Sequence, residues 1–249
     1  MIGIFDSGLG GLTVYKAVRR KLPRVNILYF GDMAHVPYGS KTTEAVRRFS
    51  LAIGKFLEKK GIKLLIVACN TASAVALETL RKNLKVPVIG VLEPGARAAV
   101  KAAKNGKIGV IGTESTANSH AYRHAIKQIR ARSVVFEKAC PLFVPLVEEG
   151  WWNHKVTGEV ARQYLLPLKK HQIDVLILGC THYPIIKKTI GRAIGAQVKL
   201  VDSADETAAF AKTALAEKCL LRQQGRGRSA FFASDAAQRF KRLAKHLAG

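Results

Sequence analysis

The segment LLIVACNT at residues 64–71 is a short apolar run followed by Cys69 and two polar residues. A closely similar segment, VLILGCTH at residues 175–182, places Cys180 at the matching position. An apolar run of about four to eight residues that ends in a turn is typical of a buried strand in a parallel sheet. The sequence therefore predicts two such strands, each with a cysteine directly after its carboxyl end.

Neighbouring segments repeat around these two strands. Residues 2–7 (IGIFDS) match residues 108–113 (IGVIGT), and residues 88–91 (VIGV) loosely match residues 199–202 (KLVD). Apolar strands of any α/β protein match each other to some degree, but the two cysteine-centred segments are much less readily explained by chance. We interpret the chain as two related α/β halves, each with a cysteine at the end of its third strand.

Short apolar runs alternate with longer amphipathic stretches along the chain, which predicts an α/β fold of mainly parallel sheets flanked by helices. The spacing of apolar residues predicts a helix over residues 42–60, ended by Gly61. We expect two pseudo-symmetric domains, residues 1–95 and 96–206, with the functional site in the cleft between them and a segment 207–249 packed back on the first domain. The predicted strands are residues 2–5, 26–30, 63–68, 86–91, 107–111, 133–137, 174–178, 198–201 and 230–233.

The composition predicts a folded, soluble and strongly basic protein. The chain has 41 Lys and Arg against 17 Asp and Glu, a formal net charge of +24, and 48% hydrophobic residues. No apolar run approaches the ~20 residues of a membrane span. The N-terminus reads directly as a strand, without the features of a secretory signal, so we expect a cytoplasmic location. The positive charge is consistent with nucleic acid, an acidic protein surface or an anionic substrate as partner.

Four cysteines, Cys69, Cys140, Cys180 and Cys219, lie far apart and form no CxxC pair. This spacing disfavours a zinc ribbon, a disulfide scaffold and a redox pair. Cys180 and His182 have the spacing of half a metal site, but no second pair with ligand spacing accompanies them, so we expect no metal. We interpret Cys140 and Cys219 as structural.

Ligands of open parallel sheets bind beyond the carboxyl ends of the strands, where the following loops gather. The chemistry-bearing residues at such ends are Asp6, Ser7, Asp32, Cys69 and Cys180. If the two halves face each other across a cleft, two thiols from separate halves approach one ligand from opposite sides.

Two facing thiols have the chemistry needed to invert a stereocentre. A base on one face of a tetrahedral carbon removes a proton, and an acid on the other face returns one. Each cysteine precedes a predicted helix start, whose free N–H groups and dipole are expected to lower the thiol pKa toward neutrality. The alternative is that each cysteine is a small buried apolar residue. Recurrence at matching positions of a duplicated chain favours the catalytic interpretation.

Five motifs occur in order along the chain. They are DSGLGGL at residues 6–12, GD at 31–32, PYG at 37–39, ACNTAS at 68–73 and LGCTHYP at 178–184. Together they resemble the glutamate racemases, the cofactor-independent enzymes of the aspartate/glutamate racemase superfamily. The similarity also includes residues 140–150 and the tail 231–247, so it extends nearly end to end. The resemblance implies interconversion of L- and D-glutamate, which supplies D-glutamate for peptidoglycan.

The resemblance also implies roles for individual residues. Cys69 and Cys180 correspond to the two acid/base thiols, one for each direction of the reaction. The implied substrate contacts are Asp6, Ser7, Tyr38, Gly39, Asn70, Thr71, Thr181 and His182. The implied assisting residues are Asp32 and Glu148, together with Asp6 and His182, and Glu149 is an alternative to Glu148. These assignments make physical sense because an amino-acid dicarboxylate needs hydroxyl and N–H donors for its carboxylates and an acceptor for its ammonium.

No lysine stands in a recognisable context for pyridoxal phosphate, so we expect no cofactor. The expected partners are the small-molecule substrate glutamate and a second copy of the chain in a homodimer, with no membrane contact. A contact with nucleic acid or DNA gyrase remains an alternative explanation of the basic charge, although nothing in the sequence marks it. Two other functions stay open: a racemase of aspartate or another amino acid, and a basic α/β binding protein that contacts nucleic acid.

Overall fold

A computed structural model describes residues 1–217, 225–236, 238 and 240 of the 249-residue chain. Each predicted strand is found in it, with ends shifted by no more than two residues, and the α/β prediction is confirmed. The strands are β1 (Ile2–Asp6), β2 (Ile27–Gly31), β3 (Leu64–Val67), β4 (Val88–Gly90), β5 (Lys107–Gly112), β6 (Val134–Ala139), β7 (Val175–Gly179), β8 (Lys199–Val201) and β9 (Ser229–Ala233).

Helices follow most of the strands. The α-helices are α1 (Leu12–Lys21), α2 (Thr43–Lys59), α3 (Asn70–Val75), α4 (Leu77–Asn83), α5 (Leu92–Ala102), α6 (Glu114–Asn118), α7 (Ala121–Ile129), α8 (Phe143–Glu148), α9 (Lys155–Lys170), α10 (Lys187–Ile194) and α11 (Ala204–Glu217). Two short 3₁₀ helices cover Tyr38–Ser40 and Tyr183–Ile186. Across the described segments, we find no helix with both the length and the apolar character that a membrane crossing requires.

The two sheets repeat one strand order, which confirms the predicted duplication. The first sheet has the order β4-β3-β1-β2-β9, and the second, counted from its β8 edge, has the order β8-β7-β5-β6. Each strand of β4-β3-β1-β2 therefore has a counterpart in β8-β7-β5-β6, and all pairs are parallel. Strand β9 is an addition to the first sheet and pairs with β2 in parallel.

Helices cover both faces of each sheet, which explains why the strands are continuous apolar runs. In β3, Leu64 and Ile66 pack in a core with residues of α1 and α11. The alternate residues Leu65 and Val67 pack in another core with residues of α2 and α4. The second sheet is arranged likewise, with α8, α9 and α10 contributing to one core and α5 and α7 to the other.

Helix α2 forms where the sequence predicts it. The Oγ1 of Thr42 caps its start by accepting a hydrogen bond from the backbone N–H of Ala45 at 3.2 Å. Gly61 ends it with a φ of +80°, a left-handed conformation that favours glycine. The 3₁₀ helix Tyr38–Ser40 lies just before α2 in the chain.

The described part of the C-terminal segment lies against the first half. Helix α11 packs on α1, and the ring of Phe240 is stacked on that of Tyr29 with centroids 6.0 Å apart. Helix α5 crosses the predicted boundary after residue 95, because Leu92 and Ala96 both belong to a core of the second half. The division into domains therefore stays a prediction. Cys219 lies outside the described residues, as do residues 218–224 and 241–249 of the basic tail.

Candidate active site

The carboxyl ends of β1, β3, β5 and β7 meet at a narrow pocket between the two halves. Its empty volume is about 270 Å³, including the mouth. The loops after β1 and β5, and those after β3 and β7, both contribute residues to this pocket. They lie together because the parallel strands of each sheet all end at the same edge of that sheet. The pocket is lined by Ser7, Pro37, Tyr38, Gly39, Cys69, Asn70, Thr71, Thr113, Val144, Cys180, Thr181 and His182.

The pocket brings together both cysteines and most of the substrate contacts that the sequence predicts. Of the predicted contacts, Asp6 is outside the lining residues and is fully buried. The predicted assisting residues Asp32 and Glu148 also stand behind the lining, where they contact Tyr38 and His182. The structure thus assembles these residues, while the role of each in a reaction remains a prediction.

Cys69 is the N-cap of α3, and its Sγ accepts a hydrogen bond from the backbone N–H of Ala72 at 3.5 Å. Burial of the thiol, with the nearby charge of Asp6, raises the pKa of Cys69 to about 12. Hydrogen bonds from Ala72 and Ser7 act in the opposite direction and do not offset this. The expectation that the helix start brings this thiol pKa toward neutrality is wrong, because desolvation outweighs the helix N–H groups. Cys69 therefore holds its proton in the free protein.

Cys180 follows β7 and has different neighbours from Cys69. The chain continues into the 3₁₀ helix Tyr183–Ile186, and α10 begins only at Lys187. The expected α-helix start directly after Cys180 is thus wrong, because the following residues form a tighter 3₁₀ turn that begins at Tyr183 and contains Pro184. The group that faces this sulfur is instead His182, whose Nδ1 is 3.8 Å from the Sγ of Cys180.

His182 connects Cys180 to a carboxylate. Its Nε2 is 2.7 Å from the Oε1 of Glu148, which comes from α8. Burial alone would lower the pKa of His182, but the hydrogen bonds with Cys180 and Glu148 outweigh burial and raise this pKa to about 10. The imidazole therefore carries a positive charge at neutral pH. Glu148 makes this contact, whereas its neighbour Glu149 is exposed. The assisting role of Glu148 stays a prediction.

Asp6 joins the loops of the two halves. Its Oδ1 accepts a hydrogen bond from the Oγ1 of Thr181 at 3.2 Å, and its Oδ2 accepts one from the backbone N–H of Gly8 at 3.0 Å. Burial raises the pKa of Asp6. Both carboxylate oxygens already have protein donors, so a direct contact between Asp6 and a substrate ammonium stays a prediction.

The glycines of residues 6–12 allow the two halves to approach closely. A Cβ on Gly10 would lie 2.5 Å from the Oγ1 of Thr181, and a Cβ on Gly11 would lie 2.4 Å from the Cβ of Asp6. Neither position has space for a side chain. The glycine-rich opening therefore serves close packing around Thr181 and Asp6.

Asp32 does not line the pocket but contacts the pocket residue Tyr38. The hydroxyl of Tyr38 donates to the Oδ2 of Asp32 at 2.6 Å. On the other oxygen, the Oγ of Ser234 donates at 2.7 Å and the Nδ1 of His35 lies at 2.9 Å. Asp32 is 2% exposed, so this buried network fixes the orientation of the Tyr38 ring, which lines the pocket. The sequence analysis did not identify His35 or Ser234.

Sequence analysis also missed a cluster of threonine hydroxyls between the halves. The Oγ1 of Thr71 is 2.9 Å from the Oγ1 of Thr113, and that of Thr113 is 3.0 Å from the Oγ1 of Thr116. A signal for Thr113 was available, because it occupies the position of Ser7 in the match between residues 2–7 and 108–113. Thr113 lines the pocket as Ser7 does.

Two buried tyrosines of the second half support the site. The hydroxyl of Tyr122 donates to the Oδ1 of Asn70 at 2.7 Å, which orients that amide across the two halves. The hydroxyl of Tyr183 donates to the backbone carbonyl of Cys140 at 2.9 Å. Cys140 is fully buried and does not line the pocket. Within the described residues, no group of three or more His, Cys, Asp and Glu is arranged to hold a metal ion.

Comparisons with known proteins agree with this arrangement. A family model described as Asp/Glu/Hydantoin racemase matches residues 2–211. The glutamate racemase of Geobacter metallireducens is 52% identical over 249 residues, which are 100% of this chain and 92% of the relative. The crystal structure of a glutamate racemase isoform from Bacillus anthracis is similar with a TM-score of 0.95 and 41% identity, covering 99% of this chain and 92% of that one.

A further solved structure, glutamate racemase from Francisella tularensis in complex with D-glutamate, has a TM-score of 0.93 and 36% identity. The similarity covers 99% of this chain and 92% of that chain. A family model over most of the chain and close relatives over its full length lead to one conclusion. The chain belongs to the Asp/Glu/hydantoin racemase family and, within it, to the glutamate racemases.

Proposed function

We propose that this protein interconverts L- and D-glutamate by moving a proton at Cα between two cysteines, Cys69 and Cys180, without a cofactor. The product D-glutamate supplies peptidoglycan synthesis. The observation that carries the proposal is the convergence of two cysteines, from equivalent strands of a duplicated fold, on one small pocket. The relatives over the whole chain are glutamate racemases, and one of them binds D-glutamate.

The pocket has the polarity that an amino-acid dicarboxylate requires. Hydroxyl groups of Ser7, Thr71 and Thr181 and the amide of Asn70 line it. The Asn70 oxygen accepts from Tyr122, which leaves the amide N–H groups as donors to a carboxylate. The pocket is small, with an empty volume of about 270 Å³ that includes its mouth.

The reaction needs one thiolate and one thiol. The thiolate sulfur takes the Cα proton, the C–H bond breaks, and the electron pair moves into the α-carboxylate. The thiol on the other side then gives its proton to the opposite face of Cα, which completes the inversion. One turnover exchanges the protonation states of the two sulfurs, so the reverse reaction uses the same groups in exchanged roles.

The surroundings of the two sulfurs favour different roles in the free enzyme. The raised pKa of Cys69 keeps its proton in place, so Cys69 is the acid at the start of a turnover. The positively charged His182 faces Cys180 and stabilises negative charge on that sulfur when it acts as the base. Glu148 in turn holds the imidazole in position.

Stabilisation of the carbanion comes from fixed donors and from exclusion of water. The pocket hydroxyls and the Asn70 amide are held by partners such as Thr113 and Tyr122, so they need little reorganisation during the reaction. Both cysteines are less than 10% exposed, which strengthens these electrostatic interactions.

Circular dichroism of the substrate tests the proposed function directly. D-glutamate and, separately, D-aspartate are incubated with metal-free, reduced protein, and the ellipticity of the amino acid is followed. We expect the glutamate signal to decay to zero and the aspartate signal to persist. Decay of aspartate alone would assign another side-chain specificity. Persistence of both signals with folded protein would contradict the proposal.

We further propose, from the family resemblance, that the enzyme is a cytoplasmic homodimer. In support of a subunit contact, Leu142, Trp151 and Leu166 are large apolar side chains that remain 51%, 44% and 56% exposed. Sedimentation velocity measures the mass directly. We expect twice the chain mass of 27.1 kDa, and a sedimenting species of one chain mass at micromolar concentration would contradict the dimer.

A further inference from the structure

A second cavity lies beside the pocket, at the boundary of the two halves. It is an open groove whose empty volume is about 960 Å³ including the solvent at its mouth, and Gly39 lines both this groove and the pocket. One wall comes from the loop and helix after Gly39, with Lys41 and Arg47. The other wall comes from α6, with Glu114 and Ser115. We call this cavity the entrance groove, because it adjoins the pocket and shares Gly39 with it.

The charges of the entrance groove complement those of glutamate. Lys41 and Arg47 give one wall two positive charges, and Glu114 gives the other wall one negative charge. Glutamate carries two carboxylates and one ammonium at neutral pH. Lys41 and Glu114 are both exposed, and neither belongs to the ion pairs found among the described residues.

The backbone of Lys41 is anchored to the pocket wall although its side chain is exposed. Its N–H donates to the carbonyl of Tyr38 at 3.1 Å, and the Tyr38 ring is fixed by Asp32. Arg47 is held differently, since its Nε donates to the carbonyl of Val75 at 2.8 Å. The backbone of Lys41 is therefore fixed while its exposed ammonium group is free to reorient toward a ligand. The guanidinium of Arg47 is instead held by its hydrogen bond to Val75.

We propose that the entrance groove is a collecting site for glutamate, where Lys41 attracts a substrate carboxylate before the amino acid enters the adjoining pocket. This inference rests on the proposed function, since it locates the first binding step of that reaction. A groove lined by an excess of positive charge raises the local concentration of an anionic substrate. The effect belongs to substrate capture, so it changes kcat/KM and leaves kcat unaltered.

Steady-state kinetics of Lys41→Gln test the collecting site. Racemisation of D-glutamate is measured at ionic strengths from about 20 to 300 mM, where screening of exposed charges becomes strong. We expect kcat/KM at low salt to fall about three- to tenfold in Lys41→Gln, with kcat unchanged and a weaker dependence on salt. Lys41→Arg keeps the charge and is expected to retain the wild-type behaviour.

A charge-matched control separates the groove from the net charge of the protein. Lys55→Gln removes one charge from an exposed position of α2 outside the groove and is expected to match wild type. Equal kcat/KM at low salt for Lys41→Gln and Lys55→Gln would overturn the collecting site. A loss of kcat in Lys41→Gln would overturn it as well. If the wild type does not racemise glutamate, both the proposed function and the collecting site are contradicted. If the wild type is active and Lys41→Gln has the same kcat/KM, only the collecting site is contradicted.

Discussion

At the scale of single residues, the two cysteines show how equivalent positions acquire different chemistry. Cys69 and Cys180 follow the third strand of each half, yet burial near a carboxylate protects the proton of Cys69 while an imidazolium faces Cys180. A racemase needs this difference, because one thiol must hold a proton while the other accepts one.

Serine in place of either Cys69 or Cys180 tests the proposed two-thiol mechanism. A hydroxyl is a far weaker acid than a thiol, so Cys69→Ser and Cys180→Ser are each expected to lower kcat by about 10²- to 10⁴-fold. The far-UV circular dichroism should remain that of the wild type. Cys140→Ala, at a buried cysteine outside the pocket, is the control and should keep its turnover. Near-normal turnover in either serine variant would exclude the mechanism.

Removing the carboxylate of Glu148 tests the charge on His182. The carboxylate raises the pKa of His182, so Glu148→Gln should lower that pKa from its value of about 10. The imidazolium is present below its pKa, so activity that depends on it is lost as pH rises through that value. We expect the alkaline limb of kcat/KM, measured between about pH 6 and 11, to move to lower pH. If Glu149→Gln moves the limb and Glu148→Gln does not, the assignment is wrong.

At the scale of elements, the site depends on how closely the loops of the two halves approach. Gly10 fits against Thr181, and Gly39 fits against Thr113, where a Cβ would lie 2.3 Å from the Cβ of Thr113. The hydroxyl contact between Thr71 and Thr113 crosses the same boundary. Loops after parallel strands can make such contacts because both sheets present their carboxyl ends to one cleft.

A methyl group at Gly39 is expected to force these loops apart. Since it would collide with Thr113, Gly39→Ala should lower kcat/KM by about 10- to 100-fold, the scale of effect for a displacement of roughly 1 Å in an active site. Gly61→Ala is the control. It has open space around it and a φ of +80°, so it should reduce stability by about 1 kcal/mol and preserve activity. Equal activity of the two variants would contradict the close approach.

At the scale of the whole molecule, the chain returns to its first half at its C-terminal end. Strand β9 pairs with β2, and the rings of Phe231 and Phe240 both lie 6.0 Å from that of Tyr29. The hydroxyl of Tyr29 donates to the backbone carbonyl of Gly8 at 2.9 Å. The C-terminal residues Phe231 and Phe240 therefore pack on Tyr29, which in turn binds the glycine-rich loop through the carbonyl of Gly8.

The contribution of this C-terminal packing to the free energy of unfolding is tested by replacing its two phenylalanines. Phe240 is 5% exposed, so Phe240→Ala should reduce the free energy of unfolding by about 3 to 5 kcal/mol, through lost burial and the cavity it leaves. Phe231 is 41% exposed, and Phe231→Ala should cost clearly less, about 1 kcal/mol. Urea unfolding measures both. Equal losses would mean that the return does not contribute to the core as described.

The sequence alone determined much of this protein. Hydrophobic periodicity located the strands and helix α2, because near neighbours along the chain set which face of an element is apolar. The repetition of residues 64–71 at 175–182 predicted the duplicated fold and the equivalent positions of Cys69 and Cys180 at the ends of two strands. The motifs resembling glutamate racemases then located residues that the structure places around one pocket, and the comparisons confirmed the family.

Only the tertiary structure decided how those residues act on one another. The helix start predicted a lowered pKa for Cys69, but burial and Asp6 raise it, and burial is a property of the packed molecule. The contacts of Asp32 with Ser234 and of Lys41 with its groove join segments far apart in sequence. Local patterns carry no information on such distances, because they arise only when the loops of both halves come together at the cleft.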